Sequence, residues 1–393
     1  MKYVSRYIEP LLLATLKKGK SILLLGPRQT GKTTVINRLP FDLFISLIQP
    51  PVRQRYEKNI GLLIGEIEAL AEQEGRPVIV AIDEVQKLPV VMDVAQDLVD
   101  RKIAIFVLTG SSARKLKRHE HINLLPGRVI PYVMDPLSYP EIDIKKYALE
   151  DLLLYGALPE VALTKKPEDK DELLRAYVSI YLEEEVRAEA LIRDLPSFAK
   201  FLTLAASESG NPVNYLKLSQ EIGVAHSTIK SYYQILDDCL VVERIEPYTK
   251  SSVRKKLQRS QKYIFFDLGV RKVAAEEGNL PKKETLGKLF EQFVALELLK
   301  TVRVNKANMQ LYYWRDTDGP EVDWVLSKEG ELIPIEVKWT DSPSLKDAKH
   351  LATFIHEYDE ATHGYVVCRT PRKVKLSDQV DALPWAELYN LIG

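Results

Sequence analysis

Residues 26 to 34 read GPRQTGKTT, directly after the apolar run Ser21 to Leu25 and directly before the helix-compatible VINRL. This stretch satisfies G-x-x-x-x-G-K-[ST] from Gly26 to Thr33, and it constrains the chain more than any other, because it requires a strand behind it and a helix in front. The glycines Gly26 and Gly31 let backbone N–H groups approach phosphate oxygens, and the helix N-terminus favours negative charge. Lys32 is then placed to reach the β and γ phosphates and Thr33 to ligate Mg²⁺, with Pro27, Arg28, Gln29, Thr30 and Thr34 completing the cradle. The ligand this predicts is ATP with Mg²⁺.

A second apolar run, PVIVAIDE from Pro77 to Glu84, has the composition of a strand buried on both faces of a parallel sheet. It ends in two carboxylates: Asp83 is expected at the Mg²⁺ and Glu84 at the attacking water. A third run, IAIFVLTGSS, stops in polar residues, and either Ser111 or Thr109 could meet the γ-phosphate from the end of the strand where α/β sheets bind ligands. The other reading is a turn that uses serine for capping. In LLPGRVIPYVMDPLSYPEI, Arg128 follows a glycine. It is either a surface charge or an arginine finger supplied to a neighbouring subunit of a homo-oligomer.

The motifs GPRQTGKTT, IDEVQKLP, LTGSSARKL, LPGRVIPYVMDPLSYPEI and LLYGALPEVAL occur in that order. In these the chain resembles the AAA-type ATPases of bacteria and archaea that carry a C-terminal PD-(D/E)xK nuclease-like domain of unknown function. It departs from them at Thr30, where an apolar residue is usual, and in ISLIQPP, which lacks the acidic residue that commonly follows the second strand. The resemblance implies an α/β protein: a P-loop AAA-type parallel sheet, a helical lid and winged helix, and a restriction-endonuclease-like α/β domain. The expected units are 1–160, 161–275 and 276–393.

A chain of 393 residues exceeds one hydrophobic core, in keeping with such a division. Lysine plus arginine and aspartate plus glutamate both number 55, so any nucleic-acid surface must arise from local clustering. Two cysteines, Cys239 and Cys368, lie far apart without metal-type spacing, as in a reducing compartment. No apolar run approaches the roughly 18 residues of a membrane helix, and the charged start does not read as a secretory signal. The expected location is the cytoplasm, away from membranes.

The middle third reads as charged helix from Glu168 to about Ser209, interrupted near Pro196, with Glu183 to Glu185 on a solvated face. NYLKLSQEIGVAHSTIKSYYQILDDCLVVERIEPY then reads as helix, glycine turn, second helix and strand, with Ser227 the expected N-cap of the second helix. Lys250, Arg254, Lys255, Lys256, Arg259 and Lys262 follow without an intervening acid, like the wing of a winged helix over a DNA backbone. The second helix carries one lysine and two aspartates, which disfavours base reading. The alternative is a module that docks onto its neighbours and keeps the basic hairpin for solubility.

In the last third, EVDWVLS and IPIEVK alternate as strands do, so Glu321 and Asp323 are expected on one face with Val322, Trp324 and Leu326 on the other. Adjacent pairing would aim Asp323, Glu336 and Lys338 at one point. Glu291 sits in the preceding amphipathic helix LGKLFEQFVALELLK, while LKDAKHLATFIHEY and HGYVVC add a helix and a strand. This is the order of the PD-(D/E)xK nuclease core, whose motif acids the resembling family has at these positions. Asp323, Glu336 and Glu291 would hold Mg²⁺ or Mn²⁺ and Lys338 would polarise the attacking water. The site is either an active phosphodiesterase or a relict. Two other classes of function stay open: an ATP-dependent switch or scaffold without nuclease activity, and an ATPase that remodels proteins.

Overall fold

The computed structural model describes residues 3–111, 127–142, 147–182, 194–250, 257, 259–279, 283–305, 308–316 and 319–392. Strands β1 (Ser21–Leu25), β2 (Leu43–Ser46), β3 (Val78–Asp83), β4 (Ala104–Gly110) and β5 (Val129–Val133) form one sheet in the order β2-β3-β4-β1-β5. Every neighbouring pair is parallel. Helix α1 (Glu9–Lys17) precedes β1, and α2 (Lys32–Ile36), α3 (Pro50–Lys58), α4 (Gly61–Glu74) and α5 (Val91–Asp100) lie in the connections from β1 to β4. Leu23, Val80, Ile82 and Phe106 belong to one core with α4 and α5, while Ile22, Leu24, Ala81 and Val107 belong to another with α1 and α2. Burial on both faces explains why these strands read as unbroken apolar runs. Strand β4 separates β1, which leads into the phosphate loop, from β3, which ends in Asp83.

The middle region begins with α6 (Leu149–Tyr155), α7 (Pro159–Leu163), α8 (Pro167–Ala176) and a π-helical turn, Tyr177–Leu182. The expected acidic face at Glu183 to Glu185 lies outside the described residues. Helix α9 (Leu195–Ser207) carries Pro196 in its first turn, where a missing N–H and a fixed φ are tolerated. Helices α10 (Tyr215–Ile222) and α11 (His226–Asp238) join through Gly223 at φ +85° and are followed by the hairpin β6 (Val242–Pro247) and β7 (Lys262–Phe265), then α12 (Leu268–Ala274). Ser227 is not the N-cap: α11 begins a residue earlier, with Ala225 capping and receiving the N–H groups of Thr228 and Ile229. Phe198, Phe201, Tyr232 and Tyr233 fill the core of this region with edge-on and tilted ring contacts.

The last region contains α13 (Lys283–Asn305), β8 (Met309–Arg315), β9 (Glu321–Lys328), β10 (Glu331–Val337), α14 (Lys349–Glu357), β11 (Gly364–Cys368), β12 (Val374–Lys375) and β13 (Val380–Pro384). Strands β8, β9 and β10 are antiparallel neighbours, and β11 runs parallel to β10. Helix α13 packs Leu289, Phe290 and Val294 on the face of Trp324, Leu326 and Ile335, and α14 packs Leu351 and Phe354 on the face of Trp314, Val322 and Val325. Val322 therefore does not share a face with Trp324 and Leu326. Tyr312 opposes Val325 and Trp314 opposes Val322, so β9 carries an extra residue at Asp323 and Trp324, and this bulge inverts the alternation.

The three stretches are tied together. Strand β6 pairs with β8 at Glu246–Tyr312 and Pro247–Tyr313, so a sheet of eight strands, β12-β13-β11-β10-β9-β8-β6-β7, runs across the division expected at residue 275. The segment MDPLSYPEI docks onto α13: the Tyr139 N–H donates to Glu297 Oε2 at 3.1 Å, and Lys300 Nζ donates to the Leu137 carbonyl at 3.0 Å. Arg303 reaches from α13 to Asp135 on one side and to Glu243 at 2.6 Å on the other.

Candidate functional site

The phosphate loop leaves β1 at Gly26, where a Cβ would meet the Met134 carbonyl oxygen at 2.4 Å, so only glycine lets the loop run against β5. Gly31, at φ +97°, turns the chain into α2. Lys32 Nζ donates to the carbonyls of Gly26 at 2.7 Å and Pro27 at 2.8 Å, which holds the ammonium at the mouth of the loop. Arg28, Gln29, Gly31, Lys32, Thr33 and Thr34 line a pocket of about 330 Å³ with Glu84 and two residues the sequence did not single out, Ile48 and Lys87. Thr30 is turned inward instead, its hydroxyl donating to the Pro27 carbonyl at 2.9 Å and its own carbonyl receiving Arg6 at 2.8 Å. The residue that departs from the family pattern thus braces the loop.

The acidic side of the pocket is a hydrogen-bonded chain. Thr33 Oγ1 donates to Asp83 Oδ2 at 3.0 Å, and Thr109 Oγ1 donates to Asp83 Oδ1 at 2.5 Å while accepting the Glu84 N–H at 3.1 Å. Thr109, on the strand between the two motif strands, positions both acids. Ser111 does not line the pocket: its hydroxyl lies behind Glu84, donating to Oε2 at 3.2 Å and receiving Gln86 Nε2 at 2.9 Å. Gln86 also donates to Glu84 Oε2. Glu84 itself adopts φ +61°, ψ +52°, a left-handed conformation unfavourable to a side chain and held here by these bonds. Residues Thr33 and Asp83, expected at Mg²⁺, stand together, and their oxygens are the hard donors that ion prefers.

A second, largely apolar pocket of about 180 Å³ shares Gly31 and Thr34 with the first and is walled by Tyr3, Val4, Leu137, Pro159 and Leu163. Leu137, Pro159 and Leu163 fall in two of the motifs and Tyr3 and Val4 in none, and no sequence pattern joins the five, because they come from separate parts of the chain. Arg128 stands away from both pockets. It precedes β5, whose first residue pairs with the start of β1, and its guanidinium is held by both Asp100 oxygens at 2.6 and 2.9 Å.

In the C-terminal sheet the bulge turns Asp323 toward β10, where Oδ2 accepts the Val337 N–H at 2.8 Å, between Glu336 and Lys338. Lys338 Nζ donates to Glu336 Oε1 at 2.5 Å. Glu336 Oε2 is buried and has no hydrogen-bond partner among the described residues. Burial, then the charges of Glu291 and Glu336, hold the Asp323 carboxyl well above its usual range, and burial also raises Glu336 against the pull of Lys338. Burial opposes the Lys338 ammonium, but Glu336 and Asp323 outweigh it, so that this lysine stays protonated.

The expected acids and lysine are thus brought together, with one change. Glu291 is engaged by Lys262 Nζ at 3.1 Å, and that ammonium also lies over the rings of Trp324 and Tyr313, 4.7 and 4.9 Å from their centroids. Among the described residues no group of three or more His, Cys, Asp or Glu is placed to hold a metal ion. The expected three-carboxylate set reduces to Asp323 and Glu336. That pair, with its partnerless buried oxygen, still fits a hard cation of the kind held by one or two carboxylates and water.

Lys262 is a correction to the basic cluster: as the first residue of β7 it points inward and is 8% exposed, so it cannot meet a phosphate backbone. Lys250 and Arg259 are exposed, while Arg254, Lys255 and Lys256 lie outside the described residues. His350 on α14, which no motif marked, hydrogen-bonds the Glu321 carbonyl through Nδ1 at 3.1 Å and acts electrostatically on Glu336.

The parallel sheet, the loop and the two acids define an AAA-type P-loop ATPase domain, and residues 18–143 match the model of an AAA domain. Residues 146–280 and 286–388 match two domains of unknown function, DUF8612 and DUF4143. Over most of its length the chain is similar to an uncharacterized protein of Mycobacterium tuberculosis, 27% identical over 95% of this chain and 82% of that one. It is also 24% identical to an uncharacterized protein of Methanocaldococcus jannaschii, over 99% of this chain and 87% of that one. Among solved structures, a signal transduction ATPase of Pyrococcus horikoshii with a tetratricopeptide repeat sensor aligns at 13% identity and a TM-score of 0.24, over 77% of this chain and 47% of that one. The replication initiator DnaA, bound to AMPPCP and single-stranded DNA, aligns at 11% identity and a TM-score of 0.28, over 60% of this chain and 90% of that one. Among the described residues no helix is long and apolar enough to cross a membrane.

Proposed function

We propose that the chain hydrolyses ATP and couples its nucleotide state to a winged-helix and PD-(D/E)xK nuclease-like half that acts on DNA. The observation that carries the second part is the buried, partnerless Glu336 Oε2 beside Asp323 and Lys338 on adjacent strands. An oxygen left so in a protein interior is costly unless a ligand completes it. When bound there, Mg²⁺ or Mn²⁺ supplies Lewis-acid polarisation of a phosphodiester oxygen. Asp323 and Glu336 are the residues to hold the ion. Lys338, kept protonated by its two acidic neighbours, serves as a hydrogen-bond donor to the attacking water or the phosphate and not as a base. In the ATPase half Lys32 binds phosphate and Glu84, buttressed by Gln86 and Ser111, orients the water. DNA is taken to meet the basic residues Lys250, Arg254, Lys255, Lys256 and Arg259, and Arg128 is a candidate for contacts within a homo-oligomer.

The test combines plasmid and single-stranded DNA with the full chain, with and without Mn²⁺ and ATP. Cleavage should appear with Mn²⁺ and fall by roughly 10² or more in Lys338→Ala. In calorimetric titration Glu336→Ala should weaken Mn²⁺ binding while Lys338→Ala retains it. A wild type that binds no metal and cuts neither DNA nor RNA leaves the relict reading, in which the same fold is a non-catalytic ATP-dependent switch or scaffold.

A further inference from the structure

A cavity of about 660 Å³ opens where α10 and α11 meet the C-terminal sheet, lined among others by Asn211, Asn214, Tyr215, His226, Ser260 and Arg315. We infer that it seats an unstacked nucleotide of a single nucleic-acid strand and delivers the adjoining phosphodiester to Asp323, Glu336 and Lys338. The inference rests on the reading of this half as acting on nucleic acid and names the form of the substrate.

Its lining is that of a nucleotide subsite. The half-buried Tyr215 ring lines the cavity, with His226 meeting it edge-on at 5.5 Å, Tyr233 at right angles at 6.0 Å and the Lys230 ammonium 5.6 Å from its centroid. Asn211 Nδ2 donates to Glu208 at 3.2 Å and Asn214 Oδ1 caps the helix by accepting the Lys217 N–H at 3.0 Å, so the other atom of each amide is the one to meet a base edge. Arg315 is exposed and pairs with the exposed carboxylate of Glu321 at 3.3 Å, a pair that water and an incoming phosphate can exchange. A concave site with a ring inside suits a base splayed out of its stack, which a duplex does not present.

The position is equally specific. Tyr313 OH donates to the Ser260 carbonyl, tying the cavity wall to β8 beside Lys262. Arg315 opposes Glu321 across β8 and β9, and Glu321 is held by His350 and acts on Glu336. Arg315 on the cavity wall is therefore paired with Glu321, at the end of β9 where Asp323 lies two residues further along the strand. The surface-exposed Leu216 at the rim, 61% accessible, gives the sugar or a neighbouring base an apolar contact.

The experiment is fluorescence anisotropy of the full chain with labelled oligothymidylate and with a duplex of equal length, without divalent metal, at low and physiological salt. Variants are Tyr215→Ala, Tyr215→Phe and Arg315→Gln, each with its thermal midpoint. Tyr215→Ala should weaken single-strand binding roughly 5- to 100-fold, the range of one lost stacking contact. Tyr215→Phe, which keeps the ring, should bind as the wild type does, and this variant carries the test if the alanine is unstable. Arg315→Gln should lower affinity and flatten its salt dependence by about 0.7 log units for one lost phosphate contact. If the wild type binds or cuts DNA but Tyr215→Ala and Arg315→Gln bind a single strand unchanged, the cavity is not the subsite, and the DNA reading stands. If the wild type binds no nucleic acid even at low salt, both fall.

Discussion

At the scale of single residues, the ATPase assignment turns on side chains that the structure separates by role. Lys32 sits on loop carbonyls where phosphate oxygens would displace them as its acceptors, so Lys32→Ala should weaken ATP binding, read by fluorescent-nucleotide titration. Glu84→Gln retains the Thr33–Asp83 pair and so should bind ATP normally but lose turnover by roughly 10² or more. Wild-type turnover in Glu84→Gln would remove that residue from the mechanism. Thr109 is subtler. Its hydroxyl is the joint between Asp83 and the Glu84 N–H, and valine has the same shape without either bond. Thr109→Val should therefore keep affinity within about twofold while turnover falls roughly tenfold, the effect of about 1.4 kcal/mol on a barrier. The phosphate loop was legible in the sequence because its chemistry uses contiguous residues. Thr109 was legible only as a candidate for the γ-phosphate, since nothing in LTGSS says that its hydroxyl turns sideways to Asp83.

At the scale of elements, sequence reading succeeded where a pattern is local and failed where a partner strand decides it. Ile333, Ile335 and Val337 do alternate with Glu336 and Lys338 as a strand should, but EVDWVLS hides a bulge, because one residue of β8, Tyr313, opposite two of β9, Asp323 and Trp324, leaves no trace in either sequence alone. Lys262 was grouped with Arg259 by proximity, yet the start of β7 points it into the protein against Glu291. The motif LLYGALPEVAL shows the same limit, since its reason lies 110 residues away. Gly156, at φ +69°, leaves room for the Asp267 carboxylate, whose Oδ2 accepts the Ala157 N–H at 2.7 Å while Oδ1 accepts the N–H groups of Gly269 and Val270 at the start of α12. A Cβ at Gly156 would stand 2.0 Å from Asp267 Oδ1. Gly156→Ala combines that clash with an unfavourable φ and should destabilise the fold by about 3 kcal/mol or more, measured by urea unfolding. Gly75→Ala, which meets nothing within 4 Å at φ +63°, should cost only the backbone strain, about 1 kcal/mol, and serves as the control.

At the scale of the whole molecule, the question is how a nucleotide pocket in one sheet can influence a site in another, and the joint between them is charged. Arg303, on the helix that backs the C-terminal sheet, holds Asp135 at the end of the AAA-type sheet and Glu243 on the hairpin that joins the two halves. Burial raises the Asp135 carboxyl despite the attraction of Arg303, so the pair is a costly one that persists only while both members are present. Arg303→Ala would leave the partly buried Asp135 with only the more distant charges of Lys300 and Arg6, and should destabilise the protein by roughly 1–3 kcal/mol. Because those contacts bridge the two halves, the loss should appear in calorimetry as two unfolding transitions in place of one, with ATP shifting only the transition of the nucleotide-binding half. The double variant Arg303→Met with Asp135→Asn removes the stranded charge and should recover most of the stability without restoring the coupling. A single transition at the wild-type temperature in Arg303→Ala would mean that Tyr139, Glu297 and Lys300 hold the halves together without it, through the docking of the 134–142 segment on α13.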